Sequence, residues 1–142
     1  MIKYLLLLHL LGASVWVGGH LLLLLRYLPE ALKSKNPAVV QAFEKKYEPI
    51  GIPALLLQVI TGIFLGMKYD VKWFSFASQF DMVFNLKLIT LALTLLLAIH
   101  ARFFIIPKLN EKNLNSLALH IGMVSVLAFI FVFLGVTFRY GW

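Results

Sequence analysis

A chain of 142 residues that is 61% hydrophobic and 13% charged, with a mean hydropathy of +0.90, cannot hide its apolar surface as a small soluble domain, because surface-to-volume scaling leaves much of such a fold exposed. Lipid removes that difficulty by covering the outward faces, so the composition points to one all-α membrane domain. Thirteen Lys/Arg against six Asp/Glu give a net charge of +7. The basic residues sit at the ends of apolar runs, where positive-inside bias and anionic lipid account for them, and no nucleic-acid partner is implied. The chain has no cysteine, which excludes disulfides, thiolate metal sites and c-type haem attachment.

Four apolar runs follow one another, each about 20 residues long and so able to cross a hydrocarbon core of roughly 30 Å. The first covers residues 2–25, ends at Arg26 and has Pro29 just beyond. It continues too far, without a small-residue cleavage site, to be a signal peptide. The stretch Ala38 to Glu48, with Glu44, Lys45 and Lys46, reads as an amphipathic lead-in lying at the interface, with Asn36-Pro37 as cap and first helical position. The second span covers 49–67. The third covers 82–104, with Asp81 near its cap and Pro107 after its end, and the fourth covers 114–138, capped by Asn113 or Asn115. The expected fold is a four-helix transmembrane bundle. Eight basic residues (Arg26, Lys33, Lys35, Lys45, Lys46, Arg102, Lys108 and Lys112) fall on the side of the first and third connections. Lys3, Lys68, Lys72 and Arg139 fall on the other. Positive-inside bias therefore places both termini outside.

Helical periodicity selects the inward faces. His9, Gly12, Trp16, Gly19 and His20 share one stripe of the first span, about 100° wide. The two histidines lie about 16 Å apart along the axis. The glycines read as close-packing contacts that also let a flat ligand approach, whereas two ionisable groups on one intramembrane stripe read as functional. In the second span Gly51, Ala54, Gln58, Thr61 and Gly62 form a packing face, with Gln58 expected to bond across helices. The third span carries Lys87 about 9 Å inside one end, placed either to snorkel or to face inward. His100 projects away from it, near Arg102. His120 lies on the fourth span, on the side of Met123, Leu127, Phe131, Leu134 and Phe138, an aromatic and aliphatic stripe of the kind that fills bundle cores. By depth, His20, His100 and His120 form one layer, and His9 and Lys87 another.

No Asp or Glu falls within a span, which argues against a di-iron carboxylate site and carboxylate-based proton pumping. Imidazole ligates haem iron, copper or zinc. Haem b suits an apolar slot with axial imidazoles, small residues at the ring edge, and cations such as Lys87, Arg26, Arg102 and Arg139 for the propionates. Copper is the alternative, although Cu(I) transport favours Cys or Met and only Met67, Met82 and Met123 accompany the initiator.

The run His9-Leu-Leu-Gly12-Ala-Ser-Val-Trp16-Val-Gly18-Gly19 resembles the first helix of the CopD copper-resistance membrane domain and of the related HemJ proteins. Phe43-Glu-Lys-Lys-Tyr47, leading through Pro53 to Gly62, resembles the basic lead-in and second helix of HemJ. Asn85-Leu-Lys87-Leu followed by His100 resembles its lysine-bearing third helix. The resemblance implies a four-helix core holding haem b, with activity in copper handling or protoporphyrinogen oxidation, and it carries over His9 and Lys87. His20 stands where an apolar residue is expected in HemJ, which points to a different or additional haem arrangement.

The leading expectation is a b-type haem protein of the bacterial inner (cell) membrane. Its candidate axial ligands are His9, His20, His100 and His120, and Lys87, Trp16, Gly12 and Gly19 complete the cofactor-binding set. Its partners would be the lipid bilayer, a membrane or soluble electron-transfer protein, and a second copy in a homodimer. Copper transport, a HemJ-like oxidase and a structural subunit are the alternatives.

Overall fold

The computed structural model describes all 142 residues as four long helices, with no strand. We label them α1 (Ile2–Ser34), α2 (Ala38–Lys68), α3 (Gln79–Lys108) and α4 (Glu111–Tyr140). Each is long and apolar enough to cross a bilayer, and rows of exposed large apolar side chains on every helix match a lipid surround. The chain is thus an all-α, four-helix membrane bundle. One end carries the short connections after α1 and α3 (the short-loop end); the other carries both termini and the loop 69–78 (the terminal end). The most extensive packing is α1 on α2 and α3 on α4, with α1 also touching α4. The α2 and α3 backbones flank the least closed side.

Two expected boundaries are corrected. The first span does not stop before Pro29: α1 runs on to Ser34, where Lys35 in the left-handed region ends it. Nor is residues 38–48 a separate interfacial helix. It forms the first turns of α2, which passes through Pro49 and Pro53 without a break. At 33 residues α1 is about 50 Å long, well beyond a hydrocarbon core of roughly 30 Å. The extra length builds a small apolar core at the short-loop end, in which Leu28, Ala31, Val40, Phe43, Ile105, Leu114 and Leu117 are buried together. Burying these side chains favours standing the 38–48 segment on the bundle over laying it on the membrane.

Proline chemistry also explains two widened turns. Pro29 and Pro107 lack the N–H of a normal helical turn, and their rings crowd the preceding carbonyls. The helix responds upstream with a π-helical turn in each case, at Leu23–Tyr27 and at Ala101–Ile105. Leu28 N–H then reaches back to the Leu23 carbonyl, and Ile106 N–H to that of Ala101. Such turns re-aim neighbouring side chains and are frequent at functional sites. Here they follow His20 and His100 closely in sequence.

The terminal end is closed by polar side chains. Ser78 caps α3 and accepts from Asp81 N–H at 3.1 Å. Asp81 then accepts from Lys72 N–H at 2.8 Å and from the Ser75 hydroxyl at 3.3 Å. Buried Asn85 accepts from Phe74 N–H at 2.9 Å, and its amide donates to the carbonyls of Ser75, Asp81 and Lys72 at 2.7, 2.9 and 3.1 Å. These bonds fix the loop on top of α3. On α4 the 3-10 turn Glu111–Asn113 is capped by Asn110 through a reciprocal pair with Asn113, and of the two expected caps Asn113, not Asn115, precedes the α-helical part.

Candidate cofactor site

The stripe expected on α1 is its inward face: Gly12 and Trp16 are buried, and His9, Gly19 and His20 are half-buried. Its glycines serve close approach. A Cβ on Gly12 would lie 2.9 Å from the Ala54 carbonyl oxygen of α2, and one on Gly19 would overlap the Tyr47 ring, whereas Gly18 has open space around it. Gly12 is therefore closed off by α2. The cross-helix bonds come not from Gln58, whose stem packs beside Gly12, but from Tyr47 and His9. Tyr47 donates its hydroxyl to the carbonyls of Val15 and Trp16 at 3.0 and 3.3 Å. Thr61 donates to the Leu57 carbonyl at 2.6 Å, so its oxygen accepts from His9 Nδ1–H at 3.0 Å.

The four histidines do not gather at one point, and no three His, Asp or Glu side chains converge closely enough to hold a metal ion. His9 stands apart, its ring edge against Gly62 and Thr61. Lys87 is within electrostatic reach of it. That lysine packs on α4, beside Gly135 and 5.9 Å from the Phe138 ring centroid, which turns its ammonium toward the terminal end. In the other layer, His20 and His120 line one cavity, and His120 is bonded to His100.

The pair of rings from α3 and α4 has a fixed proton order. His120 Nδ1–H donates to the Ser116 carbonyl at 2.9 Å, leaving its Nε2 as acceptor for His100 Nδ1–H at 2.9 Å. The rings are 9° from parallel with centroids 5.0 Å apart. That separation is close to the N···N distance plus the two ring radii, so they meet edge to edge. His100 itself is exposed and does not line the cavity. His20 is arranged differently. Its Nδ1–H donates to the Trp16 carbonyl at 2.9 Å, and its Nε2 lone pair has no protein partner.

The cavity holds about 340 Å³ between the four helices in the short-loop half, within the range of roughly 300–1,000 Å³ typical of small-molecule sites. Its walls are mainly apolar, with Leu97, Ile121 and Val124 among them. An aromatic column runs beside it. Trp16 and His20 have ring centroids 4.3 Å apart, His20 and Tyr47 6.2 Å, and Tyr47 and Phe43 5.4 Å. The Trp16 indole N–H is buried without an acceptor. The mouth lies between α2 and α3, where the lining residues Ile52, Ala98, Ile99, Arg102 and Phe103 are exposed.

No Asp or Glu falls within an expected span, yet carboxylates reach the cavity from the turns that precede the second one. Glu44 and Glu48, on the turns of α2 that were read as an interfacial lead-in, line the cavity together with Arg102. Arg102 and Glu48 form a two-point pair, Nη2 to Oε1 and Nη1 to Oε2, both at 3.1 Å. Among the basic residues named for propionates, only Arg102 lines this cavity. Tyr47, Glu44 and Glu48 were missed as site residues. The available signal was spacing: Phe43 and Tyr47 lie one turn apart, and Gly19 and Gly51 leave the notches that Tyr47 fills.

The fold and cavity define a class, a four-helix membrane bundle with an imidazole-lined internal cavity. No family model, curated protein or solved structure matches the chain.

Proposed function

We propose that the chain is a membrane b-type haem protein that holds its macrocycle in the short-loop cavity, with His20 as axial ligand. One observation carries this reading: an imidazole with a free nitrogen faces an apolar cavity in which no set of three protein ligands converges. A zinc ion needs three or four protein donors, and Cu(I) favours soft Cys or Met ligands, of which the cavity lining has none. Haem brings four nitrogens of its own and asks the protein for only one or two. The donor set therefore fits haem better than a copper-transport site. When bound, haem iron supplies one-electron chemistry. The protein's part is to orient His20 through Trp16, to exclude water with the aromatic column, and to hold a second imidazole, His120, in reserve on His100. His20 would hold the iron, and His120 as a second ligand would favour electron transfer over substrate chemistry, with a membrane or soluble redox partner. The resemblance to CopD and HemJ supports the same cofactor class and a bacterial inner-membrane location.

A second reading places haem in the terminal-end layer. It is favoured by the unpartnered Nε2 of His9 and the nearby Lys87, the two residues that the resemblance carries over. An absorption spectrum of protein purified from haem-replete cells, oxidised and then reduced, tests both. A Soret band with sharpened α and β bands on reduction is expected. Colourless protein that takes up no haem on reconstitution refutes haem binding altogether.

A further inference from the structure

A haem carries two carboxylates, yet the cavity mouth presents Glu44 and Glu48 against the single cation Arg102. Burial pushes the Glu44 carboxyl up to about 7, so the fixed charges at the mouth are Glu48 and Arg102, and an incoming carboxylate meets a free cation only when Arg102 is released. Arg102 is engaged by Glu48 through two contacts of 3.1 Å, in a pair that spans the mouth from α3 to α2. Its side chains remain about half exposed, at 54% and 38%, so solvent and headgroups screen the pair and its partners exchange readily. The guanidinium fork matches any carboxylate equally well in geometry. On either side of the pair, exposed Ile52, Ile99 and Phe103 face lipid, so an apolar molecule dissolved in the bilayer meets the mouth edge-on.

We propose that the Glu48–Arg102 pair is an exchangeable latch across a lateral, lipid-facing mouth, and that Arg102 recognises a carboxylate of the occupant by trading Glu48 for it. The proposal rests on the short-loop cavity being the haem site. Glu48 is then a competitor for Arg102. Removing Glu48's charge favours a carboxylate-bearing macrocycle. The same removal is neutral toward a macrocycle whose carboxylates are masked.

The full chain in lipid nanodiscs, stripped of haem, is titrated with haem and with haem dimethyl ester, which lacks free carboxylates. Glu48→Gln is expected to bind haem about two- to fivefold more tightly than the wild type, the scale of an exposed ion pair. Arg102→Gln is expected to bind haem about tenfold more weakly, the scale of a charge-assisted bidentate contact. Neither change alters ester binding. Because the chain has no cysteine, Ile52→Cys and Ile99→Cys accept spin labels across the mouth, and without haem both latch variants are expected to broaden the label distance. Unchanged or weaker haem binding by Glu48→Gln, parallel shifts for haem and ester, or an unaltered label distance overturns the latch. Failure of the wild type to take up either compound instead refutes the haem reading, and the latch with it.

Discussion

The two halves of the bundle use polar side chains in opposite ways. Toward the terminal end, Asp81 and Asn85 bond to the loop, His9 to Thr61, and Gln79 to the Thr137 carbonyl at 3.1 Å. Thr90, Thr94 and Thr137 return their hydroxyls to carbonyls of their own helices. In the short-loop half, two unpartnered groups stand around one cavity, His20 Nε2 and the buried indole N–H of Trp16; His9 Nε2 is also unpartnered but does not line that cavity. Leaving a buried polar group unsatisfied costs about 1–3 kcal/mol, so unpartnered Trp16 and His20 groups around one cavity mark it as a place for a ligand.

That contrast can be broken by substitution. The largest expected effect is at His20: His20→Ala should lower haem content or affinity at least about tenfold, because it removes the only cavity imidazole with a free nitrogen. The spectrum of the purified variant measures this. Next, Asn85→Ala removes the partner of four backbone groups and should destabilise the protein by about 3 kcal/mol, seen as a lower midpoint in thermal denaturation in detergent, with haem uptake retained below that midpoint. Gly12→Ala forces its new Cβ toward the Ala54 carbonyl of α2 and should cost about 1–3 kcal/mol. Gly18→Ala, with open space around it, should stay within about 0.5 kcal/mol of the wild type. The smallest structural effect expected of a lost contact is Tyr47→Phe, about 1 kcal/mol for the bonds to Val15 and Trp16, measured in the same melts.

Much of the fold was legible because lipid imposes a simple code. Apolar runs of about 20 residues mark helices, and the 100° repeat of His9, Gly12, Trp16, Gly19 and His20 marks the inward face of α1. The helix ends were less legible. Pro29 and Pro49 read as boundaries under rules drawn from soluble helices, whereas α1 absorbs Pro29 with a π-helical turn and α2 continues through Pro49. The site was half legible. Depth alone grouped His20, His100 and His120, but which of them share a cavity depends on helix rotation. The His100–His120 bond spans 20 residues of sequence and the Glu48–Arg102 pair spans 54. Contacts between elements that far apart leave no periodic trace, so Glu44 and Glu48 read only as part of an interfacial lead-in.

The macrocycle's position, in the short-loop cavity or in the terminal-end layer, is the central question. Stoichiometric haem titration of wild type, His9→Ala and His20→Ala, side by side in nanodiscs, decides it. The expected result is one equivalent bound by the wild type and by His9→Ala, with a flat titration for His20→Ala. Full uptake by His20→Ala together with loss in His9→Ala would contradict the account and move the cofactor to the terminal-end layer.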